Sequence, residues 1–251
     1  MLLLEGKKAL VTGASRRIGR AVVLQLAKEG CFVAIHYNKS ASDAGKLLEE
    51  IERAGGSGAI MQSGLDDEAS CREIVSRAVT VCGGMDFLVN NASVFPKGDI
   101  RSSAREDLEH AILVNAWAPL WLSNAFASRV SSGGIVNMLD ARISGYDFSN
   151  FPYYLSKRAL SDMTENLALR LAPSIRVNGV APGLIIPPEG KDESYLSRIE
   201  PIIPLRTHGS VEDIANAVSF LLRSNFITGQ TIFVDGGQHL THHIFGGRRR
   251  T

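Results

Sequence analysis

Thr12-Gly13-Ala14-Ser15-Arg16-Arg17-Ile18-Gly19 follows the apolar run Ala9-Leu10-Val11 and leads into Ala21, Val22, Gln25 and Leu26, which continue from Ile18 at helical spacing. Strand, glycine turn, helix is the reading that decides the fold. Gly13 and Gly19 let the main chain approach a pyrophosphate, and the helix N-terminus offers that anion free N–H groups and the positive end of a dipole. The glycine usual between these two is replaced by Arg17.

Outward from this turn, Phe32-Val33-Ala34-Ile35 is a second apolar run, entered through Gly30 and followed by a helical stretch from Ala44 to Arg53. Residues 8 to 36 thus make a βαβ unit with a right-handed crossover. At the end of its second strand an NAD site places an Asp or Glu on the ribose 2′-hydroxyl. Here stand His36, Tyr37, Asn38, Lys39 and Ser40. None of them repels a 2′-phosphate, and Lys39 with Arg16 can neutralise one, so NADPH is expected over NADH.

The same alternation continues along the chain. Gly58-Ala59-Ile60-Met61 is a third strand, and Glu68 to Cys82 a helix with Ile74, Val75, Ala78 and Val79 inward. Phe87-Leu88-Val89 is a fourth strand running into Asn90-Asn91-Ala92-Ser93, whose amides can tie neighbouring strands or line a cleft. Phe95 lies just past this strand end, where ligands bind in open parallel sheets, as a stacking surface or as a core residue. A helical region keeps Leu108, Ile112, Leu113 and Ala116 in step and contains Asn115. Gly134 to Met138 is a fifth strand ending at Asp140, a helix runs from Tyr153 to Leu171, and Ile175 to Val180 is a sixth strand closed by Pro182-Gly183. Residues 184–204, with four prolines, read as a flap over the site. A helix from Val211 to Leu222 and a strand from Thr231 to Val234 complete seven strands. The class is α/β, a single Rossmann-type doubly wound parallel sheet over residues 1–251, with 239–251 as a tail.

Composition excludes several functions. The 27 Lys and Arg against 26 Asp and Glu leave a net charge of +1, so nothing recruits nucleic acid or an anionic membrane. Arg248-Arg249-Arg250 reads as a solvated terminus. Cys31, Cys71 and Cys82 follow no ligand spacing and suit reduced thiols in the cytoplasm. Met1-Leu2-Leu3-Leu4 is too short for a signal or a membrane span. His239, His242 and His243 have no Cys or carboxylate at a useful spacing, so no metal site is expected.

Tyr153 and Lys157 are four apart, which puts them on one helix face. Lowering a phenol from a pKa of about 10 by about 3 units takes roughly 4 kcal/mol, the size of its interaction with one cation about 4 Å away at an effective dielectric of about 20. Lys157 is therefore expected to make Tyr153 a working proton donor. On its own the spacing also describes two surface residues.

With the glycine turn, Asn90-Asn91-Ala92, Asn115 and Pro182-Gly183 in this order, the whole chain resembles the short-chain dehydrogenase/reductase family. The resemblance implies a nicotinamide cofactor, a homotetramer, and a catalytic set of Asn115, Asp140, Tyr153 and Lys157. It further implies cofactor contacts from Gly13, Ser15, Arg16, Arg17, Ile18 and Gly19, from His36 to Ser40, and from Leu65. Asn91, Ala92, Ser93, Tyr153, Lys157, Pro182, Gly183 and Leu184 complete that set. Gly64 stands where the family often carries an Asp for the adenine amino group. Asp140 in place of the usual serine, Arg17 in place of glycine, Ser93-Val94-Phe95 and the 36–40 turn are similar to the pteridine reductases and bacterial dihydromonapterin reductases. That likeness implies that Arg17 reaches the cofactor phosphates and the pterin, Phe95 stacks on the pterin against the nicotinamide, and Ser93 contacts cofactor or substrate. With Asp140 and Tyr153 these form the substrate set. The reaction implied is hydride transfer from NADPH to a C=N carbon of dihydrobiopterin, dihydromonapterin or dihydrofolate. A proton goes to the ring nitrogen through Tyr153 and Asp140, and mild acid should favour the reaction. The alternative is an NADPH-dependent carbonyl reductase such as a 3-oxoacyl thioester reductase. A cofactor-binding regulatory protein is disfavoured by the intact Tyr153-Lys157 pair.

Overall fold

Strand β1 (Lys8–Val11) places Ala9 and Val11 in one hydrophobic layer and Leu10 in the other, as a pleat with period two requires of a strand covered on both faces. The computed structural model describes residues 2–188, 190–241 and 244–245 of the chain. Around β1 lie β2 (Phe32–Tyr37), β3 (Ser57–Gln62), β4 (Phe87–Asn90), β5 (Gly133–Met138), β7 (Ile175–Pro182) and β8 (Thr231–Val234), in the order β3-β2-β1-β4-β5-β7-β8. Every pairing in this seven-stranded sheet is parallel. The strand order reverses between β1 and β4, the switch point at whose carboxyl ends open α/β sheets bind ligands.

One face is covered by α1 (Arg17–Lys28), α2 (Ala41–Arg53) and α8 (Val211–Arg223), whose Val22, Leu26, Leu47, Ile214 and Val218 share a cluster with Val11 and Val33. The other face is covered by α3 (Glu68–Cys82), α5 (Ala118–Ala127) and α6 (Phe151–Leu171), through Ile74, Leu122, Phe126 and Leu167. On these helices the apolar stripes read from periodicity are the ones that pack, whereas around Asn115 the buried residues are Ala111, Asn115 and Ala116, with Leu108, Ile112 and Leu113 only half-buried.

Four details differ from the pattern. Helix α2 begins at Ala41, three residues before its first buried position, Ala44, so Asp43 falls in the first turn, where the dipole favours an acid. Strand β2 extends through His36 and Tyr37, which pair with Met61 and Gln62. The helical region around Asn115 is three pieces, α4 (Arg105–Ile112), a π turn at Leu113–Trp117, and α5. A small parallel pair, β6 (Tyr146–Asp147) with β9 (Ile244–Phe245), was not foreseen, since two-residue strands carry no periodicity.

The segment 184–204 carries structure of its own, α7 (Ser194–Ile199) and a 3-10 turn at Glu200–Ile202, and is anchored by buried Ile185, Leu196 and Ile203. The expectation that no carboxylate stands near His239 needs correction. Asp235 lies one turn earlier and binds the His239 ring at 2.8 Å, while that ring stacks on Phe233, so a carboxylate does stand beside the histidine. His242, His243 and Arg248-Arg249-Arg250 lie outside the described residues. Among the described residues, no helix is long and apolar enough to cross a membrane.

Candidate active site

The glycine turn joins β1 to α1 with Gly13 at φ +59°, and a Cβ there would come within 2.8 Å of the Ala92 Cα. Gly19 is equally confined, its missing Cβ falling against the Asn91 amide and the Gly13 carbonyl. Only glycine fits either place. Asn91 donates to the Thr12 and Gly13 carbonyls (both 2.9 Å), and the Thr12 hydroxyl accepts from the N–H groups of Asn91 (3.0 Å) and Ala92 (3.1 Å). The β4 end thereby fixes the turn, with Ser15 buried beside it. At the N-terminus of α1 no side chain caps the first turn, so its N–H groups are free for an anion. This cradle fits a dinucleotide pyrophosphate.

Arg17 holds the position of the missing glycine in a glycine's conformation, at φ +54°, which costs a side-chain-bearing residue about 1 kcal/mol or more. Its guanidinium donates to the Pro187 carbonyl at 2.7 Å. The turn is thus tied directly to the 184–204 segment. Ile18 is half-buried against the core.

The end of β2 divides into two kinds of residue. The His36 ring is buried, accepting the Gly13 N–H on Nδ1 (3.1 Å) and facing the Ser63 carbonyl with Nε2 (3.2 Å), a pattern that a neutral ring with its proton on Nε2 satisfies. Burial lowers its pKa to about 4. The His36 ring supports the turn, and neither ring nitrogen is left over for a ligand. Asn38 and Lys39 are exposed, with Tyr37 and Ser40 half-buried beside them. The expectation of a site without acids needs correction, because Asp43 binds Arg16 at 2.6 Å. A residue seven positions past the strand's His36 returns to it on the first turn of α2. Similarly, the Asp66 carboxylate folds back onto Gly64, bringing an acid to the place where the sequence lacks one, while the Leu65 side chain enters the core.

Asn90 donates to Asn137 (2.8 Å), which donates to Thr164 (2.9 Å), linking β4, β5 and α6. Asn115 is wholly buried on the π turn, and all its hydrogen bonds have partners nearby. It accepts from the Ser93 hydroxyl (3.0 Å) and the Val94 N–H (2.8 Å), and donates to the Val94 carbonyl and to Ser156 (both 2.9 Å). It clamps the 93–95 loop to α6. At the far side Gly183 packs on Asp235 with no room for a Cβ, and its N–H bonds the Val234 carbonyl, while the Leu184 carbonyl accepts from Gly209.

Tyr153 and Lys157 do share a face of α6, but their partners differ from those expected. The Tyr153 hydroxyl donates to Asp140 Oδ2 at 2.8 Å, and Lys157 Nζ donates to the Met138 carbonyl at 2.7 Å, 5.7 Å from the Tyr153 ring centre. Burial and then the Asp140 charge hold the phenol well above its ordinary value. Lys157 is brought down to about 8 by burial. The expected lowering of Tyr153 by Lys157 is therefore not what this arrangement produces. The cation opposing the upward shift is Arg142, a residue the sequence reading did not single out. Phe95 lies over the same group, its ring 4.4 Å from that of Tyr153 and tilted by 56°. An aromatic wall, a phenol, a carboxylate and a buried ammonium meet at the carboxyl ends of β4 and β5, an arrangement suited to protonating an acceptor as it takes a hydride.

Comparison with known proteins agrees with this geometry. The family model described as enoyl-(acyl carrier protein) reductase matches residues 13–239. The chain belongs to the short-chain dehydrogenase/reductase family, a family of oxidoreductases. Among solved structures it is similar to FolM alternative dihydrofolate reductase 1 from Brucella canis complexed with NADP, with a TM-score of 0.91, 32% identity and 99% of each chain covered. It is 35% identical to pteridine reductase 1 of Leishmania tarentolae, over 93% of this chain and 96% of that one. It is also 32% identical to a 3-oxoacyl-(acyl-carrier-protein) reductase of Staphylococcus aureus, over 93% of this chain and 98% of the relative.

Proposed function

We propose that this protein is an NADPH-dependent pteridine reductase that reduces a dihydropterin to its tetrahydro form. The observation carrying this reading is the Tyr153 hydroxyl bonded to the Asp140 carboxylate under the Phe95 ring, an acid pair beside a flat aromatic wall. A planar heterocycle has a face to offer Phe95 and a ring nitrogen to offer the acid pair, whereas a simple ketone has neither. The likenesses to a dihydrofolate reductase complexed with NADP and to a pteridine reductase support it. NADPH supplies the hydride. The turn around Gly13 to Gly19 would hold its pyrophosphate, Arg16 and Lys39 would take the 2′-phosphate, and Lys157 supports the site behind Tyr153. Asp140 and Tyr153 hold the proton that the ring nitrogen takes up as its carbon receives the hydride. The site residues, the 184–204 segment as a flap, a cytoplasmic location suggested by three buried free thiols, and a homotetramer belong to the same proposal.

A carbonyl reduction is the second reading, favoured by the 3-oxoacyl reductase likeness. NADPH oxidation measured with dihydrobiopterin, dihydromonapterin, dihydrofolate and an acetoacetyl thioester separates the two. Turnover of a dihydropterin is expected, and Asp140→Ala should lower its kcat by about 10²-fold or more, the usual scale of general acid catalysis. Turnover of the thioester alone would give the chain to the second reading.

A further inference from the structure

We propose that Arg142 is a positioning residue of this site: one guanidinium holds the Asp140 carboxylate as the acceptor of the Tyr153 hydroxyl and covers a face of Phe95, so that the proton pair and the aromatic wall are set together. Asp140 lies two residues past the end of β5 and caps the 3-10 turn Ala141–Ser144; its Oδ1 accepts the Arg142 main-chain N–H at 2.8 Å, with the Arg142 guanidinium at 3.7 Å. The same guanidinium lies 5.1 Å from the Phe95 ring centre and 5.9 Å from that of Tyr153, within cation–π range of both.

What keeps it there is Asp147. That carboxylate is 1% exposed, receives Arg142 at 3.0 Å, and accepts in addition from the main-chain N–H groups of Ser149 and Asn150 and from the Asn150 amide. A buried carboxylate fixed by three other donors makes a rigid anchor for a planar fork. Burial works against the charge on Arg142, and Asp140, then Tyr153, Asp147 and Tyr195 of α7 outweigh it. The groups facing Tyr153 are Asp140 and Arg142 from the 140–144 turn, Lys157 from its own helix, and Asp147 behind. Of the two cations, Arg142 is the one that acts to lower the phenol. It opposes, without reversing, the rise that burial and Asp140 impose on the phenol.

The inference rests on Tyr153 and Asp140 being the acid pair, and is independent of which acceptor is reduced. Arg142→Met and Arg142→Lys are to be compared with wild type for NADPH affinity by calorimetry, and for kcat and KM across pH with dihydrobiopterin and with an acetoacetyl thioester. NADPH affinity should stay within about twofold in both variants, because Arg142 lies outside the turn. Arg142→Met should lower kcat by about ten- to a hundredfold and move the phenol-controlled limb of kcat to higher pH, since the opposing cation is gone. Arg142→Lys should keep the limb in place and raise KM by about three- to tenfold, because an ammonium restores the charge but not the planar cover of Phe95. A limb unmoved in Arg142→Met, or equal losses in both variants with no split between kcat and KM, overturns the proposal. If Arg142→Met does not fold, an unchanged KM in Arg142→Lys overturns it alone. A wild type active only on the thioester ends the pterin reading and leaves Arg142 to be judged on that substrate, while one active on neither overturns both.

Discussion

Asp43 and His36 show how single residues around the turn tune it. The Arg16–Asp43 pair has side chains 59% and 39% exposed, and such surface pairs contribute about 0–1 kcal/mol. If Arg16 takes the 2′-phosphate as proposed, Asp43 competes for it, and Asp43→Asn should tighten NADPH by up to about fivefold and leave NADH unchanged. Lys39→Asp should narrow or reverse the preference. Calorimetric titration with both cofactors checks this, and a wild type that binds them equally would refute the reading. His36 acts on stability. Its value of about 4 in the folded protein lies below the ordinary 6.5, so between those two pH values the unfolded chain takes up a proton that the folded one refuses. Its contribution is complete above about pH 6.5 and is lost as pH falls toward 4, by at most about 3 kcal/mol. Urea unfolding of wild type and His36→Gln at several pH values should show a steeper acid loss in wild type. Parallel curves would remove His36 from the account.

At the scale of elements, the break between α4 and α5 matters more than the apolar stripe that first marked the region. A π turn adds a residue to the helical circuit and re-aims the side chains after it. Asn115 falls on this turn and reaches both the 93–95 loop and Ser156 of α6. In Asn115→Ala the Val94 N–H would lose its acceptor, and the Val94 carbonyl would keep only the Ser93 hydroxyl at 3.5 Å. An orphaned buried group costs about 1–3 kcal/mol and the half-buried Val94 N–H falls at the low end of that range, while the Phe95 wall would loosen with the loop. The expected result is a stability loss of that size in chemical denaturation together with a raised KM for the ring substrate. Full stability would mean that another donor replaces the amide.

Over the whole molecule, the sheet interior is closed on both faces while several large apolar side chains stay at the surface. Trp117 is 43% exposed and stacks on Trp121 at 6.0 Å, Leu169 is 83% exposed, and Phe226 is fully exposed. Exposed apolar surface of this kind suits association with further copies. Light scattering of the purified protein should give the mass of four chains. A single-chain mass at micromolar concentration would remove the homotetramer from the proposal.

The glycine turn, the seven strands and the Tyr153-Lys157 face were legible in the sequence because each rests on local spacing, a period of two or 3.6 or a turn that only glycine can make. Most strand and helix limits moved by no more than one to three residues, and Gly13 and Gly19 proved to be places where a Cβ has no room. Charge partners were not legible. Asp43 reaches Arg16 across 27 positions, and Asp66 turns back on Gly64, because the helix start and the loop path bring them there. Arg142 stood two residues from a suspected acid, yet no periodicity marks a short turn. Only the buried Asp147 directs its guanidinium onto Asp140 and Phe95 instead of into water. Local geometry is written in neighbouring residues, whereas the sign and size of an electrostatic effect depend on which charges the finished fold brings within a few ångströms and how far it excludes water from them.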